Sequence, residues 1–558
     1  MKILLLSSTY DSLTQRLYVE LAQRGHKVAF DIASSDLQTL DAVQQHQPEL
    51  IFCPSLDTTL SKSIWHRYRC ITLHLNTDKN HSASALDWAI QHQEATCTLT
   101  AIQISSEMDV CSSWASAIFT LRLATKSSLY LLEVQKAAVD VVLQTIEHTQ
   151  NPDFIPQKLD YSSATDKAIF QVLMTQADRK IDWDLDSAAT IVNKINAGDG
   201  YPGVADNIRG IDYYIYGATL EDTLRGSPKA LIAKRLGAVC RATIDGAVWL
   251  SHLEPKTAET ERKYFKLPAA MVFRNKIKDL PEVPVTIYET SANTYREIWY
   301  EEHNQVGYLH FDFYEGAMNT EQCLRLRDAI LEVLEHPTRV LVLLGSHSFW
   351  SNGIDLRVIE ASNNPPEESW HNVNALNDLI LAIVTATKKI TIAAIHGQAS
   401  AGGVAFAAAF DKICARSGVM FNLNYKSMGL FGSEYSTYTL PKRIGYDKAL
   451  ELIENCRILS TREAKHIGLI DHIIPDHFAA FDTKIRTMAE ALAQHQSYDK
   501  ILRSKIQRRN QDEFLKPLQY YREEEQQRMK EAFFESNALY HLIRKQLVYS
   551  KHPPAQDQ

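Results

Sequence analysis

A change of period within the first 28 residues sets the strongest constraint on the fold. KILLLSS, residues 2–8, is a continuous apolar run. DSLTQRLYVELAQRG then puts Leu13, Leu17, Leu21 and Ala22 on one side of a helix, with Gly25 as its C-cap. VAFDIAS, PELIFCPS and YRCITLHL are three further strand-like runs. Strands alternating with helices predict a parallel sheet covered on both faces. In such sheets functional groups gather at the C-terminal ends of strands, and this rule places His74, read as ending the ITLHL strand, for chemistry.

At 558 residues the chain exceeds one core, and units of about 100–200 residues are expected. Residues 1–155 form the first alternating unit. NPDFIPQKLDYSS (151–163) reads as a linker, and 156–285 as a small α+β or β-rich unit with a helix at AATIVNKINAG and strands at YYIYGATL and AVCRATIDGAVWLSHL. FRNKIKDLPEVPVTIY, with Pro281 and Pro284, is the next linker. Residues 286–490 alternate again, with strands at GYLHFDF, RVLVLLG and ITIAAIHG and helices at EQCLRLRDAILEVLEH, ALNDLILAIVTATKK and GGVAFAAAFD. Residues 491–558 are charged and helical. The expected class is α/β throughout.

A net charge of −8 gives no reason to expect nucleic acid as a partner. The local basic run Arg503, Lys505, Arg508 and Arg509 reads as a solvated helix face, or else as a contact to a phosphorylated small molecule. Eight cysteines are scattered without CxxC pairs or zinc spacing, which fits a reducing compartment and implies no metal. The N-terminal apolar run is too short for a signal segment, and none reaches the ~18–20 residues of a membrane span. A cytoplasmic protein without a membrane partner is expected.

Two segments carry the chemistry of the second half: SHSFWSNGIDLR (346–357) and IHGQASAGGVAFAAAFD (395–411). In each a strand ends in a small-residue turn and passes into a helix. Small residues allow close approach to backbone N–H groups, and a helix N-terminus adds unsatisfied donors. Facing each other, two such turns could hold one carbonyl oxygen as an oxyanion hole. Glu434, in Gly-Ser-Glu-Tyr, either stabilises a helix N-terminus or acts as a general acid/base with Tyr425 as donor or orienter. Tyr435 and Tyr438 read as core.

These paired turns resemble the crotonase (enoyl-CoA hydratase/isomerase) family over roughly 286–490, a resemblance that continues through GLFGSEYSTYTLPKRIG and TREAKHIGLIDHIIP into the helical tail. It implies acyl-CoA thioesters as substrates, with the thioester oxygen held by the N–H groups of Ile354 and Gly402. Ser351, Asn352, Gly353, Asp355, Leu356 and Gly403 would line the coenzyme A site. Where hydratases of the family place two glutamates to handle water, this sequence has Ala405 and Tyr425, which argues against simple enoyl hydration.

In the first half, CITLHLNTDKNHSASALDWAI and SSEMDVCSSWAS offer a histidine and an acid from neighbouring strand ends. With MKILLLSSTYDSLTQRL, FCPSLDTTLSKSIW and INAGDGYPGV, they resemble tetrahydrofolate-dependent formyltransferases. The family's Asn-x-His falls on Thr72, Leu73 and His74, and its Asp on Asp109. Thr72 replaces the Asn, and Val110 stands where a Gly is expected. The chain as a whole, with QADRKIDW, GDGYPGV, FKLPA and MGLFGSEYSTYTLP as the strongest pieces, is similar to the HoxX family of hydrogenase maturation factors. That resemblance implies formyl transfer from 10-formyl-tetrahydrofolate to coenzyme A, then decarbonylation of formyl-CoA to CO for a nickel-iron hydrogenase, with hydrogenase maturation proteins as partners. Two other readings stay open: a crotonase acting on another acyl-CoA beside an altered formyltransferase-like module, and a non-enzymatic maturation scaffold.

Overall fold

The computed structural model describes residues 1–33, 35–55, 60–77, 84–105, 110–160, 173–256, 265–475 and 478–549. The chain divides into two compact units, Met1–Asp206 with Ile215–Ala218, and Asn207–Tyr214 with Thr219–Gln558.

The first unit is built on a seven-stranded sheet. Its strands are β1 (Lys2–Ser7), β2 (Lys27–Ile32), β3 (Leu50–Cys53), β4 (Cys70–Asn76), β5 (Thr96–Gln103), β6 (Val110–Thr120) and β7 (Gln157–Asp160), in the order β2-β1-β3-β4-β5-β6-β7. Strands β1 to β4 are parallel, as their alternation with helices requires. From β4 onward the pairing turns antiparallel. The expected parallel sheet is therefore half of a mixed one, and the presumed linker after Asn151 contributes edge strand β7. Leu4, Leu5 and Leu6 are fully buried, consistent with a strand covered on both faces. Helix Ser12–Gln23 buries Leu13, Leu17 and Leu21; the Asp11 carboxylate caps it by accepting from the Thr14 N–H at 2.9 Å. It ends before Gly25, whose φ of +84° suits a residue without Cβ.

The middle of the chain is β-rich: β8 (Val204–Ile208), β9 (Ile211–Glu221), β10 (Leu231–Arg235), β11 (Ala238–Ala242), β12 (Ala247–Pro255) and the short β13 (Leu267–Pro268), ordered β10-β11-β12-β9-β8 with β13 on β12. The division between the two units falls within β8 and β9. In the second unit the buried Glu221 carboxylate accepts from Trp249 Nε1 (2.7 Å), the Thr223 N–H (2.8 Å) and hydroxyl (2.6 Å), the Leu224 N–H (3.0 Å) and the Thr294 hydroxyl. Burial opposes its ionisation, but these donors override burial and hold the carboxyl down to about 2. A depressed carboxyl stabilises the fold above its unfolded value and loses that contribution as pH falls. Glu221→Gln is accordingly expected to lower the denaturant midpoint at pH 7, the deficit shrinking as pH falls from about 4.5 toward 2. A deficit that grew on acidification would contradict this network.

Ten strands follow: β14 (Ile298–His303), β15 (Val306–Phe311), β16 (Val340–Leu344), β17 (Phe349–Ser351), β18 (Ile390–Ile395), β19 (Gln398–Ser400), β20 (Lys412–Arg416), β21 (Met420–Asn422), β22 (Ile458–Ser460) and β23 (His472–Ile474). One sheet runs β14-β15-β16-β18-β20-β23 and a second β17-β19-β21-β22. Strands β16, β18 and β20 each lead within a few residues to a strand of the second sheet. On β16, Leu341 and Leu343 join the core beneath helices Thr320–Leu334 and Pro365–Val384, whereas Val340, Val342 and Leu344 face Phe481, Ile485 and Ala489 of helix Phe478–Ala493. Both faces are covered, so the run is apolar without alternation.

Helices Tyr498–Leu515, Leu518–Phe534 and Leu539–Tyr549 form the tail. Its basic run is a solvated face only in part: Arg503 and Arg508 are exposed, whereas Lys505 is buried on Asp411 (2.5 Å) and the Lys389 carbonyl (2.8 Å), and Arg509 is buried with a donor on the Tyr438 hydroxyl (2.6 Å). Unpaired, such charges would oppose burial; partners within the fold reverse that balance. Among the described residues no helix is long and apolar enough to cross a membrane.

Candidate active site

The two turns singled out from the sequence follow adjacent strands, because β17 pairs with β19 in parallel. Gly353 adopts φ +78°, and its N–H donates to the Ser351 hydroxyl at 3.0 Å. The Asn352 side chain donates to the Glu315 carbonyl at 2.8 Å. Met318 bridges the turn from outside: its N–H donates to the Gly353 carbonyl (2.9 Å) and its carbonyl accepts from the Asp355 N–H (3.2 Å), leaving the Ile354 N–H outside that bridge. The Asp355 carboxylate then accepts from the Arg357 (2.9 Å) and Val358 (3.1 Å) N–H groups, starting helix Leu356–Ala361.

The second turn passes through Ala401, at φ +47°, into helix Gly402–Ala408. The turns touch. A Cβ on Gly353 would lie 3.2 Å from the Gly402 nitrogen, and one on Gly403 only 2.0 Å from the Ser351 carbonyl oxygen. Trp350 Nε1 donates to the Gly403 carbonyl at 3.0 Å, tying one turn to the other. Ile354, Gly402 and Gly403 therefore sit on one pair of abutting turns, with Ser351, Asn352, Gly353, Asp355 and Leu356 on the first. Asn352 and Asp355 spend polar atoms holding its shape.

Glu434 lies over the second turn: its Oε1 is 2.8 Å from where a Cβ on Gly402 would sit. The Tyr425 hydroxyl donates to Glu434 Oε2 at 2.8 Å, the Ser433 N–H donates to the same oxygen at 2.9 Å, and the Glu434 N–H donates to Asn377 Oδ1 at 2.8 Å. Burial pushes the Glu434 carboxyl above its ordinary value, against the pull of those two donors. Burial, reinforced by the Glu434 charge, pushes the Tyr425 phenol well up. A buried carboxyl that resists ionisation beside a turn rich in N–H groups can take up and return a proton. Ala405, on the same helix, is fully buried and offers nothing to activate water.

Glu434 immediately precedes Tyr435, at the start of helix Ser436–Ile444, yet its carboxylate turns to Tyr425 and the Ser433 N–H. Helix Ser436–Ile444 is capped instead by Glu525, which accepts from the Tyr435 N–H (2.9 Å), the Thr437 N–H (2.8 Å) and the Thr437 hydroxyl (2.6 Å). Neither Glu525 nor Asn377 was legible beforehand. Each is distant in sequence and sits in an ordinary helical pattern. Tyr435 is buried, as its core reading required, whereas Tyr438 bonds to Asp512 (2.8 Å) as well as to Arg509.

In the first unit His74 and Thr72 share a face of β4, two residues apart. His74 does not terminate the strand; it pairs with Thr100 of β5 two residues before the end. The Thr72 hydroxyl donates to the Cys53 carbonyl at 3.3 Å, across to the neighbouring strand. Asp109 lies outside the described residues. A further acid, Asp87 of LDWAI, is buried between Lys126 (2.6 Å) and Arg179 (2.5 Å). In INAGDGYPGV, a Cβ on Gly203 would come 2.7 Å from the Tyr216 ring, whose hydroxyl accepts the Gly203 N–H at 3.0 Å.

Comparison with known proteins gives these sites a context. The Enoyl-CoA hydratase/isomerase family profile matches residues 305–540, and the Formyl transferase, C-terminal domain profile matches residues 173–266. The hydrogenase maturation factor HoxX of Bradyrhizobium diazoefficiens is 38% identical over 552 residues, covering 98% of this chain and 95% of that protein. The chain belongs to the HoxX family of hydrogenase maturation factors. Within that family, the crystal structure of HypX from Aquifex aeolicus in complex with tetrahydrofolic acid superposes with a TM-score of 0.94 at 35% identity, covering 100% of this chain and 97% of that one. The chain thus combines a formyltransferase module with a crotonase module, and its mixed α/β architecture matches that of HypX. The abutting turns and Glu434 all fall within the crotonase match.

Proposed function

We propose that this HoxX-family chain makes CO in two steps. The formyltransferase-like half transfers the formyl group of 10-formyl-tetrahydrofolate to the thiol of coenzyme A. Nitrogen gives up the formyl carbon, sulfur gains it, and tetrahydrofolate leaves with the thiol proton. His74 and Asp109 are the groups assigned to orienting the formyl group and handling that proton. At the second site the N–H groups of Ile354 and Gly402 hold the formyl oxygen, and the Glu434 carboxylate removes the formyl proton. The carbon–sulfur bond then breaks, CO departs, and Glu434, oriented by Tyr425, returns the proton to the thiolate. The step balances as formyl-CoA giving CO and coenzyme A, with no oxidant or reductant.

The observation that carries this reading is the buried Glu434 carboxyl, bonded to Tyr425 and set against the Gly402 turn. An acid there, with Ala405 and Tyr425 at the positions where hydratases of the family place glutamates, suits proton shuttling rather than hydration. The hydrogenase maturation named for the relative and the tetrahydrofolic acid bound in HypX support a folate carrier and a maturation role.

A second reading is favoured by Thr72. It occupies the position of the family asparagine and turns its hydroxyl to the Cys53 carbonyl. On that reading the first half uses another donor, and only the thioester reaction is retained. CO release, followed by the absorbance shift of haemoglobin, separates the two. CO from both 10-formyl-tetrahydrofolate plus coenzyme A and from formyl-CoA is the expected result. CO from formyl-CoA alone would support the second reading, and CO from neither would overturn the CO-forming function.

A further inference from the structure

We propose that Glu525 is a positioning residue, which from helix Leu518–Phe534 holds the Glu434–Tyr435 turn so that the Glu434 carboxyl meets the Gly402 turn. This deepens the reading of Glu434 as the acid–base group and rests on it.

Glu434 and Tyr435 both have positive φ, +62° and +54°. Left-handed geometry is unfavourable for a residue with a Cβ, so consecutive residues keep it only where the surroundings hold them. Two groups hold this pair. Asn377 Oδ1, from helix Pro365–Val384, takes the Glu434 N–H at 2.8 Å. Glu525 takes the next N–H, of Tyr435, at 2.9 Å, while its other oxygen takes the Thr437 N–H and hydroxyl. The tail helix also braces the first support. Arg522, one turn before Glu525, donates to Asp378 (2.6 Å) and Asn374 (3.1 Å), on the helix that carries Asn377.

Glu525 is only 1% exposed and plays no part in the proton shuttle proposed above. A carboxyl buried so deeply in a tail helix, with all its recorded donors on residues 435 and 437, serves that segment. Burial pushes the Glu525 carboxyl up, against the pull of the Thr437 and Tyr435 donors. Because each oxygen accepts an N–H, an amide with its single acceptor oxygen replaces part of these bonds and a methyl group replaces none.

The test uses the full-length chain carrying Glu525→Ala or Glu525→Gln. Release of CO from formyl-CoA gives kcat and KM. Hydrogen exchange read by mass spectrometry follows the Glu434 amide, whose acceptor is Asn377 rather than Glu525. The expected result for Glu525→Ala is a fall in kcat of at least about tenfold with little change in KM, and faster exchange at Glu434. Glu525→Gln, which keeps one acceptor oxygen, should recover part of both. Unchanged kcat and exchange in Glu525→Ala would overturn the proposal. So would equal losses in both variants together with a raised KM, which mark general loss of the fold. If the unaltered chain releases no CO, the functional reading fails and exchange alone decides: faster exchange at Glu434 in Glu525→Ala with partial recovery in Glu525→Gln supports the positioning role, and unchanged exchange overturns it.

Discussion

Glu434→Gln is expected to lower kcat for CO release from formyl-CoA by about 10²–10⁴-fold, the usual contribution of one general acid/base. The substitution removes the proton-accepting oxygen but little else. Burial already favours the neutral acid, so a neutral amide of the same shape fits the cavity. Tyr425 retains an oxygen to donate to, and the Glu434 N–H keeps its place on Asn377. Coenzyme A affinity, measured by calorimetry, should therefore change little, since the loss concerns the reacting proton. Activity of Glu434→Gln within twofold of the unaltered enzyme would remove Glu434 from the chemistry and leave the proton without an identified acceptor.

Gly403→Ala is expected to damage the fold itself. The added methyl would lie 2.0 Å from the Ser351 carbonyl oxygen and 2.7 Å from its carbonyl carbon. Both are backbone atoms of β17, so no side-chain rotation relieves the overlap. Either the strand or the start of helix Gly402–Ala408 must move, and the Trp350 donor to the Gly403 carbonyl moves with it. Overpacking against backbone costs roughly 3 kcal/mol, at the upper end of such insertions. The thermal transition of the second unit should fall by several degrees, and CO release should fall with it as the two N–H groups part. Gly200→Ala provides the contrast. Nothing lies within 4 Å of its Cβ position and its φ is not positive, so its transition should stay near that of the unaltered chain. Equal transitions for the two variants would contradict the close approach of the turns.

Much of the architecture was legible because it depends on local patterns. Continuous apolar runs such as KILLLSS and RVLVLLG identify strands buried on both faces, and the small-residue turns after Trp350 and Ser400 could be located without coordinates. What escaped depends on partners far apart in the chain. Strands β5, β6 and β7 carry no local mark of direction, so the antiparallel half of the first sheet was not foreseen. Lys505 and Arg509 look solvated in sequence, because nothing nearby shows that Asp411 and Tyr438 await them.

The amino-acid sequence by itself determined the order of elements, the two glycine-bearing turns and the residues Glu434 and Tyr425. The elements and turns follow from periodicity and from the steric freedom of glycine, both local properties, whereas Glu434 and Tyr425 are picked out with the resemblance to the crotonase family. Only the tertiary structure decided that the turns abut, that the Tyr425 hydroxyl donates to Glu434 and that a tail helix supplies Glu525 to the turn beside it. Those outcomes arise from packing between segments separated by tens of residues, where burial and hydrogen-bond satisfaction select one arrangement among many that the same local patterns allow.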